Sequence, residues 1–106
     1  MNSKRQQKVF IVNEVETDIP QAEKEVLIHH SDASIDTYTD YKKLLYKLHK
    51  SFKFQYAIGI IHENGSKAKP SVISSFVRQL SPEIRIIIYN SIDGLKQQLQ
   101  EIKIWH

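Results

Sequence analysis

The sequence contains no cysteine and no long apolar run. Without cysteine the chain can form neither disulfides nor thiolate metal sites, which fits a reducing cytoplasm. No apolar stretch approaches the roughly 20 residues that a membrane-spanning helix needs. The basic N-terminus leads only into the short apolar run at residues 9–12, which is too short for the core of a signal peptide. We therefore expect a cytoplasmic protein without membrane segments.

Size and composition predict one globular domain. The chain has 106 residues, of which 41% are hydrophobic and 25% are charged, values that are ordinary for a single folded domain. Residues 1–7 form a basic tail, and residues 8–106 form the domain. The net charge of +3 is too mild to require an acidic partner.

Apolar runs alternate along the chain with helical patterns. We predict strands at residues 9–12, 26–28, 56–61, 84–89 and 102–105. Helices are predicted from Asp36 or Thr37 to Lys50, at residues 71–80, and after Ser91. In the last two, Val72, Ile73, Phe76, Val77 and Leu80 are expected on one side, and Ile92, Leu95 and Leu99 are expected inward.

These patterns predict a small doubly wound α/β fold. Three of the strands are apolar on both alternations, or nearly so, which is typical of a parallel sheet covered on both faces. We expect a mostly parallel five-stranded sheet with a stunted first helix, because only residues 14–24 join the first two predicted strands. The same short connection leaves a β-hairpin between these strands as an alternative.

Polar side chains follow the predicted strands, where a parallel sheet places its ligand sites. If all strands are parallel, these side chains lie on one edge. The residues singled out there are Asn13, Glu14, His29, His62, Glu63, Asn90 and Ser91.

Three stretches carry a resemblance to a known family. KVFIVNE at residues 8–14 resembles the opening strand and acidic pair of bacterial response-regulator receiver domains. YAIGIIH at residues 56–62, followed by Gly65, is similar to the third receiver strand and its loop. IRIIIYNS at residues 84–91 is similar to the fourth strand with its hydroxyl-bearing switch position. The resemblance implies a receiver-like, flavodoxin-like fold over residues 8–105.

The departures from the receiver pattern imply a degenerate site. Asn13 and Glu14 stand where receivers hold magnesium with an acidic pair, and His62 stands where they carry the phosphoryl-accepting aspartate. Asn90 takes the switch position, with Ser91 beside it, and the lysine after strand 5 has no match. Phosphoryl transfer needs a nucleophile close to a metal ion. We therefore expect no catalysis and no cofactor, and we predict a pseudo-receiver that acts in bacterial regulation through protein contacts.

The predicted helices leave one sheet face short of cover. A stunted first helix and a missing last helix would both belong to that face, and exposing several large apolar side chains would cost several kcal/mol. A homodimer, another protein or the folded-back tail could cover it. We expect a homodimer or a partner complex through this face or the strand 5 edge, where Ile102, Ile104 and Trp105 are the interface candidates.

Two other functions remain as alternatives. His29, His62 and Glu63 could supply ligands to a metal ion such as zinc, or help to bind an anion, although no short-range ligand spacing supports a metal site. A basic nucleic-acid-binding surface would use Lys42, Lys43, Lys47 and Lys50, which a solvated helix face explains equally well.

Overall fold

Strands and helices alternate strictly in the structure, a computed structural model that describes residues 8–14, 19–50, 56–63 and 68–102. The elements are β1 (Lys8–Val12), α1 (Ile19–His29), β2 (Ser34–Tyr38), α2 (Tyr41–Lys50), β3 (Ile58–His62), α3 (Pro70–Leu80), β4 (Arg85–Tyr89) and α4 (Ile92–Glu101). Within the described residues no helix is both long and apolar enough to cross a membrane.

The four strands form one sheet in the order β2-β1-β3-β4, and every neighbouring pair is parallel. This order is the first part of the flavodoxin-like doubly wound arrangement. The prediction of a parallel α/β fold is confirmed. The hairpin alternative is wrong, because β1 and β2 run in the same direction.

Each face of the sheet carries two helices and its own apolar core. On the α1/α4 face, Val9 and Ile11 of β1 pack in one cluster with Val26 of α1 and Leu95 and Leu99 of α4. The opposite α2/α3 face has a second cluster, which includes Phe10, Val12, Leu44, Leu48, Ile73 and Val77. Strand β1 lies between the two layers, and its residues 9–12 have no exposed surface.

The prediction of a strand at residues 26–28 is wrong. These residues belong to α1, in which Ile19, Ala22 and Val26 are buried at helical spacing, whereas Leu27 and Ile28 are 44% and 61% exposed. The second strand is β2, which carries polar residues because it lies at the edge of the sheet. Asp36 and Thr37 are in β2 and do not cap α2; Asp40 does so, since its Oδ1 accepts a hydrogen bond from the Lys42 amide at 2.9 Å.

The prediction of a stunted first helix is also wrong. Helix α1 has 11 residues, and α4 packs beside it on the same face. Both faces are therefore covered, and the argument for a dimer through an exposed face no longer holds.

The described residues form four strands, not five. Ile102 is the C-cap of α4 and is 8% exposed within the core of the α1/α4 face. The remainder of the predicted fifth strand, with Ile104 and Trp105, lies outside the described residues, as does the predicted tail at residues 1–7.

Helices α3 and α4 agree with their predicted positions, with one exception in packing. Ser91 caps α4, because its Oγ accepts a hydrogen bond from the Gly94 amide at 3.1 Å. In α3, Ile73 and Val77 are buried, but Val72, Phe76 and Leu80 are 42–46% exposed. The side of α3 that was predicted to face the core is therefore broader than the part of the helix that is buried.

The centre of the sheet depends on a close contact between Phe10 and Gly59. These two residues are paired in register on β1 and β3. A Cβ atom added at Gly59 would lie 2.2 Å from Cζ of Phe10, so the aromatic ring occupies the space that a side chain would take. Glycine is required here for this close approach.

We predict that Gly59→Ala destabilises the protein by about 1–3 kcal/mol, because the added methyl group overpacks the core against Phe10. The free energy of unfolding in urea measures the effect. Gly94→Ala is the control: its Cβ would lie 3.3 Å from Ser91 Oγ, and removing a helical glycine stabilises by up to about 1 kcal/mol. Equal stability of the Gly59→Ala variant and the wild type would contradict the packing described.

Candidate functional site

Three side chains form a row across the carboxyl edge of the sheet, the edge at which the strands end. Tyr89 is paired with His62 at the ends of β4 and β3. Asn13 follows β1 one residue after the Val12–Ile61 pair, so it comes next to His62 in the register. The alternation of strand residues puts all three on the α1/α4 face. We call Asn13, His62 and Tyr89 the carboxyl-edge row.

The members of this row contact one another closely. The rings of His62 and Tyr89 meet edge to face with their centroids 4.9 Å apart. Asn13 Nδ2 donates a long hydrogen bond of 3.4 Å to the Tyr89 hydroxyl. Asn13 has no exposed surface and Tyr89 is 2% exposed. The tyrosine ring therefore packs against His62 and reaches the strand beyond it.

Backbone hydrogen bonds fix the ends of the strands around the row. The Asn13 amide donates to the Tyr38 carbonyl at 3.0 Å, and the Glu63 amide donates to the Tyr89 carbonyl at 2.7 Å. These bonds extend the β1–β2 and β3–β4 ladders by one residue each. The row is thus held on a rigid sheet, which is the kind of support that a precise site needs.

The other residues singled out after the first, third and fourth strands lie near this edge but do not join the row. Glu14 is half-buried and Glu63 is exposed, while Asn90 is exposed beyond the end of β4. The Ser91 hydroxyl is engaged as the N-cap of α4. The residue that faces His62 is Tyr89, which sequence reasoning missed because it reads as the last apolar residue of a strand. Counting the pairing register from the strand ends would have found it.

The described residues hold no group of three or more histidine, aspartate, glutamate or cysteine side chains that could bind a metal ion. The expectation that His29 shares an edge with His62 and Glu63 is wrong. His29 ends α1, and α1 returns to the start of β2, so His29 lies at the opposite edge of the sheet. Its Nε2 is 3.9 Å from Glu25 Oε1, an ion pair within one helix turn.

The lysines predicted for nucleic-acid binding all lie on α2, but they do not form one surface. Lys43, Lys47 and Lys50 share a helix side by their spacing, and Lys42 is on another. Lys47 Nζ is 3.9 Å from Asp36 Oδ2, a partly exposed pair of little energetic weight. Lys50 Nζ lies 5.2 Å from the ring centre of Tyr46. These contacts direct two of the four charges toward the protein.

A hydrogen-bonded group of two tyrosines and an aspartate, which the sequence analysis does not predict, lies on the α2/α3 face. Tyr56 donates to Asp36 Oδ2 at 2.7 Å, and its hydroxyl is 3.0 Å from that of Tyr38. Burial raises the pKa of Tyr56, and the hydrogen bonds to Tyr38 and Asp36 raise it further. The Tyr56 ring also meets Phe10 edge to face at 5.1 Å. The group ties the start of β3 to the edge strand β2.

Comparison with protein-family models, with curated proteins and with solved structures gives no match. The functional argument therefore depends on the geometry of the chain itself.

His30, at the edge of the sheet opposite the carboxyl-edge row, gives the protein a testable pH dependence. Burial, together with the neighbouring His29, lowers the pKa of His30 to about 4, whereas an imidazole in an unfolded chain titrates near 6.5. Between these two pH values the imidazole of His30 is protonated in the unfolded chain but stays neutral in the folded chain. The stability associated with His30 is thus fully present above pH 6.5 and is lost as the pH falls toward 4.

We predict that the wild type loses about 1 kcal/mol more stability than His30→Gln between pH 7 and pH 5, a figure that allows for partial exposure to solvent. Urea denaturation at the two pH values measures the difference. His49→Gln, at an exposed position of α2, should keep the wild-type pH dependence. A His30→Gln variant that shows the same loss as the wild type would contradict the assignment.

Proposed function

We propose that this chain is a receiver-like interaction domain that works without phosphorylation. The carboxyl edge of a doubly wound sheet is where such folds place their ligands and reactive groups. In this chain the carboxyl-edge row occupies that place. The single observation that carries the proposal is the contact between Asn13 and Tyr89, two buried side chains that close the edge over β3.

The chemistry of the row supports a silent site. Magnesium is held by carboxylate oxygens together with water and phosphate oxygens. Asn13 offers a neutral amide where an acidic pair would begin, and its nitrogen is directed at the Tyr89 hydroxyl. The Tyr89 ring contacts the imidazole of His62 edge to face. Phosphoryl transfer needs a metal ion beside the nucleophile, and Asn13 does not supply the carboxylate that would help to hold one.

Function then belongs to the surface of the domain. We infer a non-enzymatic role in bacterial regulation, in the cytoplasm, through a second copy of the chain or a protein partner. The sheet has an apolar core on each face, and the carboxyl-edge row fills the place of an active site. Such a domain is suited to presenting a surface that does not change. The interaction would be regulated by the partner or by the concentration of the chain, and not by phosphorylation of His62.

Titration with beryllofluoride and magnesium, and separately with acetyl phosphate and magnesium, tests the proposal. We predict no saturable shift of the backbone amide resonances of Asn13, His62 or Tyr89, because no metal and phosphoryl site is open. The double variant Asn13→Asp/His62→Asp serves as the sensitivity control. It restores two carboxylates at neighbouring strand ends, and magnesium is expected to raise its melting temperature through binding to the folded state.

A saturable response of the wild type to beryllofluoride with magnesium would contradict the proposal. A melting temperature of the wild type that rises with magnesium as much as that of the double variant would do the same. The beryllofluoride titration of the wild type needs no variant, so a double variant that folds poorly does not affect that outcome.

A further inference from the structure

Strand β4 presents an open edge. It is the last strand of the sheet, and no described strand pairs with its outer side. The Arg85 amide donates to Ala57, and the Tyr89 carbonyl accepts from Glu63, so these two residues direct their backbone groups toward β3. Backbone groups alternate along a strand. Those of Ile86 and Ile88 therefore point outward, away from the sheet.

The described chain satisfies one of these outward groups. Gln98 of α4 donates its Nε2 to the Ile88 carbonyl at 3.0 Å, which confirms that this carbonyl faces the open side. A carbonyl oxygen has a second lone pair and can accept again. The Ile86 amide, the Ile86 carbonyl and the Ile88 amide are left for water or for another strand.

The two edges of the sheet differ in how they are protected. The β2 edge carries Ser34, Asp36 and Thr37, polar side chains of the kind that discourage strand addition. On β4, residues 86–88 are three isoleucines, with neither a charge nor a proline among them, and Ile88 is 38% exposed. An open apolar edge of this kind favours pairing with a further strand.

The handedness of the β–α–β connections limits which parallel strands can pair beside β4. Connections between parallel strands are right-handed in about 98% of cases. The chain moves outward to β4 through α3, on the α2/α3 face. Helix α4 lies on the α1/α4 face, so a parallel strand placed outside β4 directly after α4 would require a left-handed connection.

We propose that β4 pairs in antiparallel fashion with β4 of a second copy of the chain, so that two sheets join across a twofold axis at Ile87. In this register Ile86 of each copy exchanges both backbone hydrogen bonds with Ile88 of the other, which uses all four outward groups. The proposal specifies the surface through which the proposed interaction function operates. It does not depend on whether the carboxyl edge binds phosphate.

The side chains of β4 are self-complementary in this register. On the α2/α3 face, Ile86 of one copy packs beside Ile88 of the other, which covers the exposed isoleucine. On the opposite face, Arg85 comes opposite Tyr89 of the second copy, so the only charge on the strand does not meet its own counterpart. Beside the edge lies a groove of about 560 Å³, which gives room for a second isoleucine side chain and is lined by Ile88 together with Ser71, Ser74, Ser75, Arg78 and Gln79 of α3.

A five-residue edge buries a small area, so the dimer is expected to be weak. Interfaces at the low end of the size range belong to transient complexes. We expect a dissociation constant on the order of 1–50 µM, which makes assembly depend on the concentration of the chain.

Sedimentation equilibrium of the full chain from 1 to 200 µM tests the proposal, with Ile88→Lys and Ile28→Lys as matched variants. We expect the wild type and Ile28→Lys to dimerise alike, since Ile28 is 61% exposed on α1 and lies away from β4. Ile88→Lys should weaken association at least tenfold, because lysine on an edge strand opposes pairing. A wild type that stays monomeric at 200 µM, or an Ile88→Lys variant that dimerises like the wild type, would overturn the proposal.

Amide hydrogen exchange of the wild type provides a second test that needs no variant. The amides of Ile86 and Ile88 should become about three- to fivefold more protected between 5 and 200 µM, which is the fall in the monomer fraction that a dissociation constant of 1–50 µM gives. The Ile87 amide points toward β3 and should be protected equally at both concentrations. Protection of Ile86 and Ile88 that does not change with concentration would also overturn the dimer, and the beryllofluoride titration would then judge the silent site independently.

Discussion

The packing of Phe10 over Gly59 is the contact on which the rest of the structure depends. It places a phenyl ring in the middle of the sheet, where any side chain at residue 59 would collide with it. The ring is then held edge to face by Tyr56, which in turn hydrogen-bonds to Asp36 on the edge strand. One pairing register thus connects three adjacent strands. Because a slip by one residue would reverse every side chain of a strand, this contact fixes the faces as well.

The fixed register has a direct consequence for function. It brings Asn13, His62 and Tyr89 into one row at the carboxyl edge, and it directs the side chains of that row onto the α1/α4 face. A fold that commonly carries a reactive group at this place here carries a packed amide, imidazole and phenol. At the margin of the sheet the side chain of Ile88 is exposed, and it is there that we propose pairing with a second copy of the chain.

The sequence predicted the buried strands well and the edge of the sheet poorly, for physical reasons. Residues 9–12 and 58–61 are apolar because they are buried on both faces, and the apolar run at residues 86–88 is equally distinctive although Ile88 is exposed. β2 is a partly exposed edge strand, so its pattern resembles a loop that precedes a helix. Three consecutive apolar residues at 26–28 indicate a buried strand. They lie instead on α1, where only Val26 faces the core and its two neighbours are exposed. Misplacing this strand produced the stunted helix, the uncovered face and the wrong edge for His29.

At the candidate site, the positions of single residues were easier to predict than the contacts between them. Asn13 and His62 were placed at the correct edge, because they follow strands that the apolar pattern identifies. Tyr89 was missed because a residue type that belongs in strands gives no signal of a site role. The network of Tyr38, Tyr56 and Asp36 depends on contacts between elements that are distant in sequence, and a single sequence does not reveal these.

The most direct measurement of the central claim is a set of nuclear Overhauser contacts in the labelled full chain. The account predicts contacts between the Phe10 ring protons and the Gly59 α-protons, together with methyl contacts from Val26 to Leu95 or Leu99. The first pair reports the register of β1 and β3, and the second reports the packing of α1 beside α4. Strand-type contacts that pair residues 26–28 with β1, or a Phe10 ring remote from Gly59, would contradict the account.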